Sequence, residues 1–170
     1  MAFLEPHFDT HFVPLLDGMH QDIEPRFETF FTAVAHAGDR DGVLLVHCEV
    51  GVSRSATLVI AWMMQTEGLR FLEAFERVRA RRAQVLPNIG FASQLQRFEH
   101  ARLGPRPDGE LSSLTRYLHR RCAVPAEPDL IQQALVRHDY DAVAAIKSLF
   151  GGAIPRVVQG ARTVAKAPPG

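Results

Sequence analysis

Val43-Leu44-Leu45-Val46-His47-Cys48-Glu49-Val50-Gly51-Val52-Ser53-Arg54-Ser55-Ala56 decides how this chain is read. Four apolar residues lead into a short loop that contains a glycine, and the loop leads into a helix-like run. The order predicts a strand, an anion-sized loop and a helix N-terminus. A loop curled between strand and helix aims successive backbone N–H groups at one point, and the helix start adds its partial positive charge there. Such a nest suits a tetrahedral oxyanion. Glu49, Val50, Gly51, Val52, Ser53 and Arg54 are the residues expected to surround that anion, Arg54 with two forked hydrogen bonds. Cys48 lies in the same positive field, so it is expected to ionise below its free pKa of about 8.5. A lone buried cysteine is most often a small hydrophobe, and a cysteine and an arginine at this spacing say little alone. Here His47, Gly51 and Ser55 stand in register with them.

His-Cys-x-x-Gly-x-x-Arg-Ser resembles the signature loop of the cysteine-dependent protein tyrosine phosphatases, and its surroundings look most like their dual-specificity branch. The resemblance runs from about Phe12 to about Glu99. It includes Phe12-Val13-Pro14-Leu15-Leu16-Asp17 and Asp22-Ile23 upstream, then Arg81-Arg82, Pro87-Asn88-Ile89-Gly90-Phe91 and Gln94-Leu95-Gln96-Arg97-Phe98-Glu99 downstream. It implies Cys48 as nucleophile, Arg54 as transition-state clamp and Ser55 as the hydroxyl that eases departure of the sulfur. By the same resemblance His47 helps hold the thiolate and Asn88 braces the loop from a neighbouring segment.

Expelling an alkoxide or phenoxide from phosphorus requires that it be protonated as it leaves, which calls for a carboxylic acid. Asp17, upstream of the loop and followed by Gly18, matches the family's general acid, which then takes a proton from water as the cysteinyl-phosphate is hydrolysed. Asp before Gly is also common turn chemistry. Asp22 competes by proximity but precedes Ile23-Glu24-Pro25 and reads as a helix N-cap.

The fold class expected is α/β, a phosphatase-type central sheet flanked by helices and followed by a small all-α segment. Phe27, Phe30, Phe31 and Val34 mark a helix over residues 23 to 36, and Gly38-Asp39-Arg40-Asp41-Gly42 turns the chain into the Val43 strand. The run Leu58 to Met64 is apolar nearly all round and reads as the buried central helix, ended by Gly68. Phe71, Phe75 and Val78 stripe the next helix; Phe91, Leu95 and Phe98 stripe the one after Pro87. Arg77, Arg79, Arg81 and Arg82 read as complements to a helix C-terminus, with an acidic docking site as the alternative. Only 46 residues precede His47, room for one strand, the acid loop and one helix. The sheet is therefore expected to lack the family's first strands and to present an exposed edge over a thin core.

Four segments are expected: a catalytic domain over 1–103, a linker over 104–110, a helical segment over 111–152 and a flexible tail over 153–170. In the third, Leu111, Leu114, Tyr117 and Leu118 form one stripe, while Asp129 and Asp141 stand where helix caps belong. The run Leu130-Ile131-Gln132-Gln133-Ala134-Leu135 through Asp141 to Phe150 resembles the second and third helices of ubiquitin-associated and CUE-like modules. Ala123-Val124-Pro125 stands where those modules carry a hydrophobic-glycine loop. Ubiquitin binding and a helical extension packed on the phosphatase core are the two readings.

With 170 residues, 46% of them apolar, and 19 basic side chains balancing 19 acidic ones, the chain has no bulk attraction to nucleic acid or an anionic membrane. Its two cysteines, Cys48 and Cys122, are too few for a disulfide framework, which points to a reducing cytoplasmic or nuclear setting. No signal peptide or membrane span is read from the sequence. His7 and His11 lack companions for a metal site, and the chemistry the resemblance implies needs neither metal nor cofactor. The function implied is hydrolysis of phosphotyrosine, and of phosphoserine and phosphothreonine, on protein substrates. The loop carries Glu49 and no lysine, which suits a multiply phosphorylated inositol lipid less well. A phosphate-binding adaptor with little catalysis and a ubiquitin-binding scaffold are the alternatives.

Overall fold

The computed structural model describes residues 8–39, 42–107 and 109–159. His7, Arg40, Asp41, Asp108 and residues 160–170, which bear on the metal pair, the turn, the linker and the tail, lie outside the described residues. A 3-10 turn at Glu24–Arg26 runs into α1 (Phe27–Asp39), and α2 (Arg54–Glu67), α3 (Phe71–Arg81) and α4 (Ile89–Leu103) follow. The chain continues through α5 (Ser113–Arg120), α6 (Pro128–Arg137), α7 (Ala142–Leu149) and the short α8 (Arg156–Gln159). No described helix is long and apolar enough to cross a membrane.

The expected α/β architecture is not what forms: the described residues are helical or irregular, and none belongs to a strand. An apolar run becomes a strand only by exchanging backbone hydrogen bonds with a neighbour. Val43 to Val46 find no such neighbour among the described residues, and Val43 and Leu45 stand 99% and 82% exposed. The stretch Phe12 to Leu16 is committed elsewhere. The Leu15 carbonyl accepts from Arg54, and the Leu16 N–H donates to the Gln21 side chain.

Two helices share the centre. Ile60, Ala61 and Met64 bury one face of α2, which stops where expected, at Gly68 in the left-handed region (φ 66°). In α4, all eight residues from Ile89 to Gln96 are buried, a denser enclosure than its three-residue stripe suggests. Buried Glu99 on α4 accepts from the Phe71 N–H (2.7 Å) and pairs with Arg70 (3.0 Å), so its carboxylate fastens α4 to the start of α3.

The first helix differs from its sequence reading in one instructive way. Asp22 does not cap it; the capping position falls on Ile23, which has no side-chain cap. The Gln94 carboxamide reaches across from α4 instead, accepting from the N–H groups of Ile23 (2.7 Å) and Glu24 (2.9 Å). Asp129 likewise is not a cap: Glu127 occupies the capping position, Pro128 opens α6, and Asp129 sits in the first turn. Asp141 does cap α7, accepting from the N–H groups of Val143 and Ala144.

The C-terminal helices join the same core. Tyr117 on α5 is fully buried between Phe71 and Phe75, with ring centroids 5.2 and 5.0 Å away, and its hydroxyl donates to the Pro87 carbonyl. Leu114 N–H donates to Gln96 (2.7 Å), Ala142 N–H donates to Ser93 (2.9 Å), and Arg121 donates from Nε and Nη2 to the Glu76 carboxylate. Cys122 is buried beneath α5, and that burial pushes its thiol up to about 12, against a smaller opposing effect from Tyr117.

Candidate active site

Cys48 stands at the mouth of the loop that ends in α2, and two kinds of neighbour define it, a hydroxyl and backbone N–H groups. Ser55, buried in the first turn of α2, donates its hydroxyl to the Cys48 sulfur at 3.2 Å, and the Gly51 N–H donates at 3.3 Å. Burial pushes the thiol up, but the Ser55 hydroxyl and the N–H groups of Ser55, Gly51 and Val50 outweigh it, and the net result is a thiol lowered to about 7. His47 is exposed and enters no hydrogen bond among the described residues.

Arg54 is the first residue of α2 and faces the segment that carries Asp17. One arm of its guanidinium donates to the Leu15 carbonyl (3.1 Å) and the other reaches Glu49 (3.2 Å), whose side chain is 80% exposed. Its Nε is buried without a partner among the described residues. A buried guanidinium N–H lacking an acceptor is costly, and an oxyanion is the kind of acceptor it would take. Ser53 precedes α2 without capping it, because its hydroxyl accepts instead from the Asn88 N–H at 3.1 Å.

Asn88 joins the two halves of the site. Its backbone holds Ser53 in the loop, and its side-chain N–H group donates to the Asp17 carboxylate at 2.8 Å and to the Gly18 carbonyl at 3.4 Å. Its carboxamide oxygen meanwhile caps α4 by accepting from the Phe91 N–H. Gly90 lies nearby in the first turn of α4, packed so closely that a Cβ there would fall 1.8 Å from the Met19 carbonyl oxygen. Gln94 adds a donated bond to the Gln21 carbonyl. The start of α4 thus holds residues 17–24 at several points; the sequence motif indicates Asn88 as a brace of the phosphate loop, and does not indicate this hold on residues 17–24 by Asn88, Gly90 or Gln94.

The loop backbone is gripped from outside by residues 82–86. Arg82 donates from Nε to the Gly51 carbonyl (3.1 Å) and from Nη2 to the Val50 carbonyl (3.3 Å), which also accepts from Gln84 (3.3 Å). The Val52 carbonyl accepts from the Leu86 N–H at 2.9 Å. Sequence reasoning assigns Arg82 to the end of a helix, but its backbone has already left α3, with φ −143°. Of its basic neighbours, Arg77 pairs with Glu67 and Arg79 donates to the Val85 carbonyl.

A cleft of about 880 Å³ opens at the loop, lined by Cys48 and by apolar Val46, Val59, Met63, Val78 and Val85. The loop residues Glu49, Val50, Gly51 and Ser55 line it as well, as does Arg82, whereas Arg54 and Asp17 do not.

Comparison with known proteins agrees with this geometry. Residues 3–101 match the family model for the dual specificity phosphatase catalytic domain. Human dual specificity protein phosphatase 4 is 36% identical over 126 residues, 72% of this chain but 32% of that protein. Mouse dual specificity protein phosphatase 14 is 42% identical over 99 residues, covering 58% of this chain and 50% of that protein. The chain therefore spans between about a third and half of the length of these curated relatives. Among solved structures, the human tyrosine phosphatase-like serine/threonine/tyrosine-interacting protein aligns with a TM-score of 0.51 and 30% identity over 59% of this chain and 72% of that one. Human DUSP28 aligns with a TM-score of 0.50 and 37% identity over 52% of this chain and 62% of that one. With a family match that spans more than half its length and a cysteine-arginine loop built as described, this chain belongs to the dual specificity phosphatase catalytic-domain family.

Proposed function

We propose that this chain hydrolyses phosphomonoesters on protein tyrosine, and on serine and threonine, through a cysteinyl-phosphate. The observation that carries the reading is Cys48, its thiol lowered to about 7 by donors that converge on the sulfur. At neutral pH a large share of such a thiol is thiolate, which is the nucleophilic form.

In the proposed first step the Cys48 thiolate attacks phosphorus. A sulfur–phosphorus bond forms, the phosphorus–oxygen bond to the leaving group breaks, and Asp17 gives its proton to the departing oxygen. Arg54 and the loop N–H groups meet the charge on the equatorial oxygens. In the second step water attacks phosphorus, Asp17 takes a proton from it, and the sulfur leaves as thiolate to the hydrogen bond from Ser55. Asn88 supports the acid's placement, since it reaches the Asp17 carboxylate while holding the loop through Ser53. A thiolate nucleophile requires a reducing compartment, so the cytoplasm is the proposed location.

The test is turnover of an activated aryl phosphate by the purified chain, with vanadate as competitor. Cys48→Ser should abolish turnover because an alcohol there stays protonated. Activity that survives this substitution, or a folded wild-type protein that turns over nothing, would sink the reading.

A further inference from the structure

We propose that Arg82, seconded by Gln84, is a positioning residue that fixes which way the phosphate loop's amides face and thereby sets its affinity for tetrahedral oxyanions. The proposal deepens the phosphatase reading and rests on it for the identity of the anion. A trans peptide is planar, so its C=O and the next residue's N–H point in opposite directions, and the described chain contains no cis bond. Anchoring the Val50 carbonyl outward therefore turns the Gly51 N–H inward, where it donates to the Cys48 sulfur at 3.3 Å. Anchoring the Gly51 carbonyl turns the Val52 N–H inward in the same way, and the Leu86 N–H does this for Ser53 through the Val52 carbonyl.

The grip matters because the loop has a soft point at its middle. Gly51 has φ +71°, a region that glycine enters and leaves freely. A flip of either flanking peptide would bring a carbonyl oxygen, the negative end of its dipole, toward the thiolate. Arg82 lies against this residue so closely that a Cβ on Gly51 would fall 2.9 Å from Nη2. One planar fork spans two successive carbonyls, which a lysine ammonium at the end of a flexible stem does not match. Arg82 is itself braced. The Val85 N–H donates to the Arg82 carbonyl (3.0 Å), and Arg79 holds the Val85 carbonyl (2.9 Å).

The experiment compares wild type with Arg82→Met, Arg82→Lys and Gln84→Met, all checked for folding by circular dichroism. Two readouts need no turnover: vanadate affinity by calorimetry, and the pH midpoint of Cys48 alkylation by iodoacetamide. Arg82→Met should weaken vanadate binding about tenfold and raise the midpoint from near 7 by about one unit. Gln84→Met, which leaves one of two donors on Val50, should weaken vanadate binding about threefold. Arg82→Lys should recover less than half of the loss. Unchanged affinity and midpoint in folded Arg82→Met overturn the proposal, as does full recovery in Arg82→Lys, which would assign the effect to charge alone. If Arg82→Met does not fold, Gln84→Met decides, and unchanged vanadate affinity there overturns the proposal. A wild type and variants that behave as expected with vanadate, yet hydrolyse no phosphomonoester, would remove the phosphatase reading and leave the clamp standing.

Discussion

On the C-terminal flank of the phosphate loop, Val50, Gly51 and Val52 each give a carbonyl to residues 82–86; on the N-terminal flank, Val43 and Leu45 are exposed and their backbone joins no ladder among the described residues. Both flanks lie within a few residues of Cys48. The loop's backbone carbonyls at Val50, Gly51 and Val52 are therefore held by residues downstream of it in the chain. Segments 82–88 and the first turns of α2 and α4 shape the nest. Of the apolar run before it, Val46 packs against the core and lines the cleft, while Val43 and Leu45 stand exposed. Asp17 obeys the same rule, since Asn88, Gly90 and Gln94 on the downstream side hold its segment.

The most severe challenge to this asymmetry is Gly90→Ala. The new methyl would overlap the Met19 carbonyl, and backbone has nowhere cheap to go, so the segment carrying Asp17 should shift. Turnover of phosphotyrosine should fall about a hundredfold, since a displacement near one ångström costs roughly that much. Activated aryl phosphates, whose leaving groups need little protonation, should be hydrolysed nearly as before. Equal losses on both substrates would mean that α4 supports more than the acid.

Ser55→Ala probes the gripped flank from inside the nest. The thiolate is the reactive form and its share grows with pH, so wild-type alkylation of Cys48 should be half-maximal near pH 7. Removing the Ser55 hydroxyl deletes the largest lowering influence and leaves burial less opposed, so the midpoint should move up, by about one unit. A midpoint that stays in place would transfer the whole effect to the loop amides.

The smallest expected effect belongs to the loose flank. Val43→Lys should change stability by no more than about 0.5 kcal/mol, as for other exposed positions away from special features. Chemical denaturation of the two proteins checks this. A loss above about 2 kcal/mol would show that Val43 is covered in solution and that the two flanks are more alike than described.

Legibility follows the range of the interactions. The Gly68 stop and the Asp141 cap are readable because each is decided by neighbours a few residues away, and the loop from His47 to Ser55 is readable by its motif although residues 82–88 shape it. Asn88 is readable as a brace because its motif travels with the loop. Gly90, Gln94, Glu99 and Arg82 are not, since their partners lie 28 to 73 residues distant and nothing in their own neighbourhood reveals them. The sheet fails for the opposite reason. Val43 to Val46 carry a local strand pattern, but a strand is a property of two segments, and the second is not among the described residues. Asp22 and Asp129 show the same limit on a smaller scale, plausible caps displaced by a glutamine from another helix and by the fixed backbone of Pro128.

The burial of Cys122 gives the molecule a gauge of its own integrity. With its thiol held near 12 beneath α5 and Cys48 near 7, only one of the two sulfurs is chemically available while the helices stay closed. Opening the Tyr117 wedge releases the second. The number of thiols that a colorimetric reagent counts per chain therefore rises from one to two as the C-terminal helices come away, reporting loss of that packing without any added label.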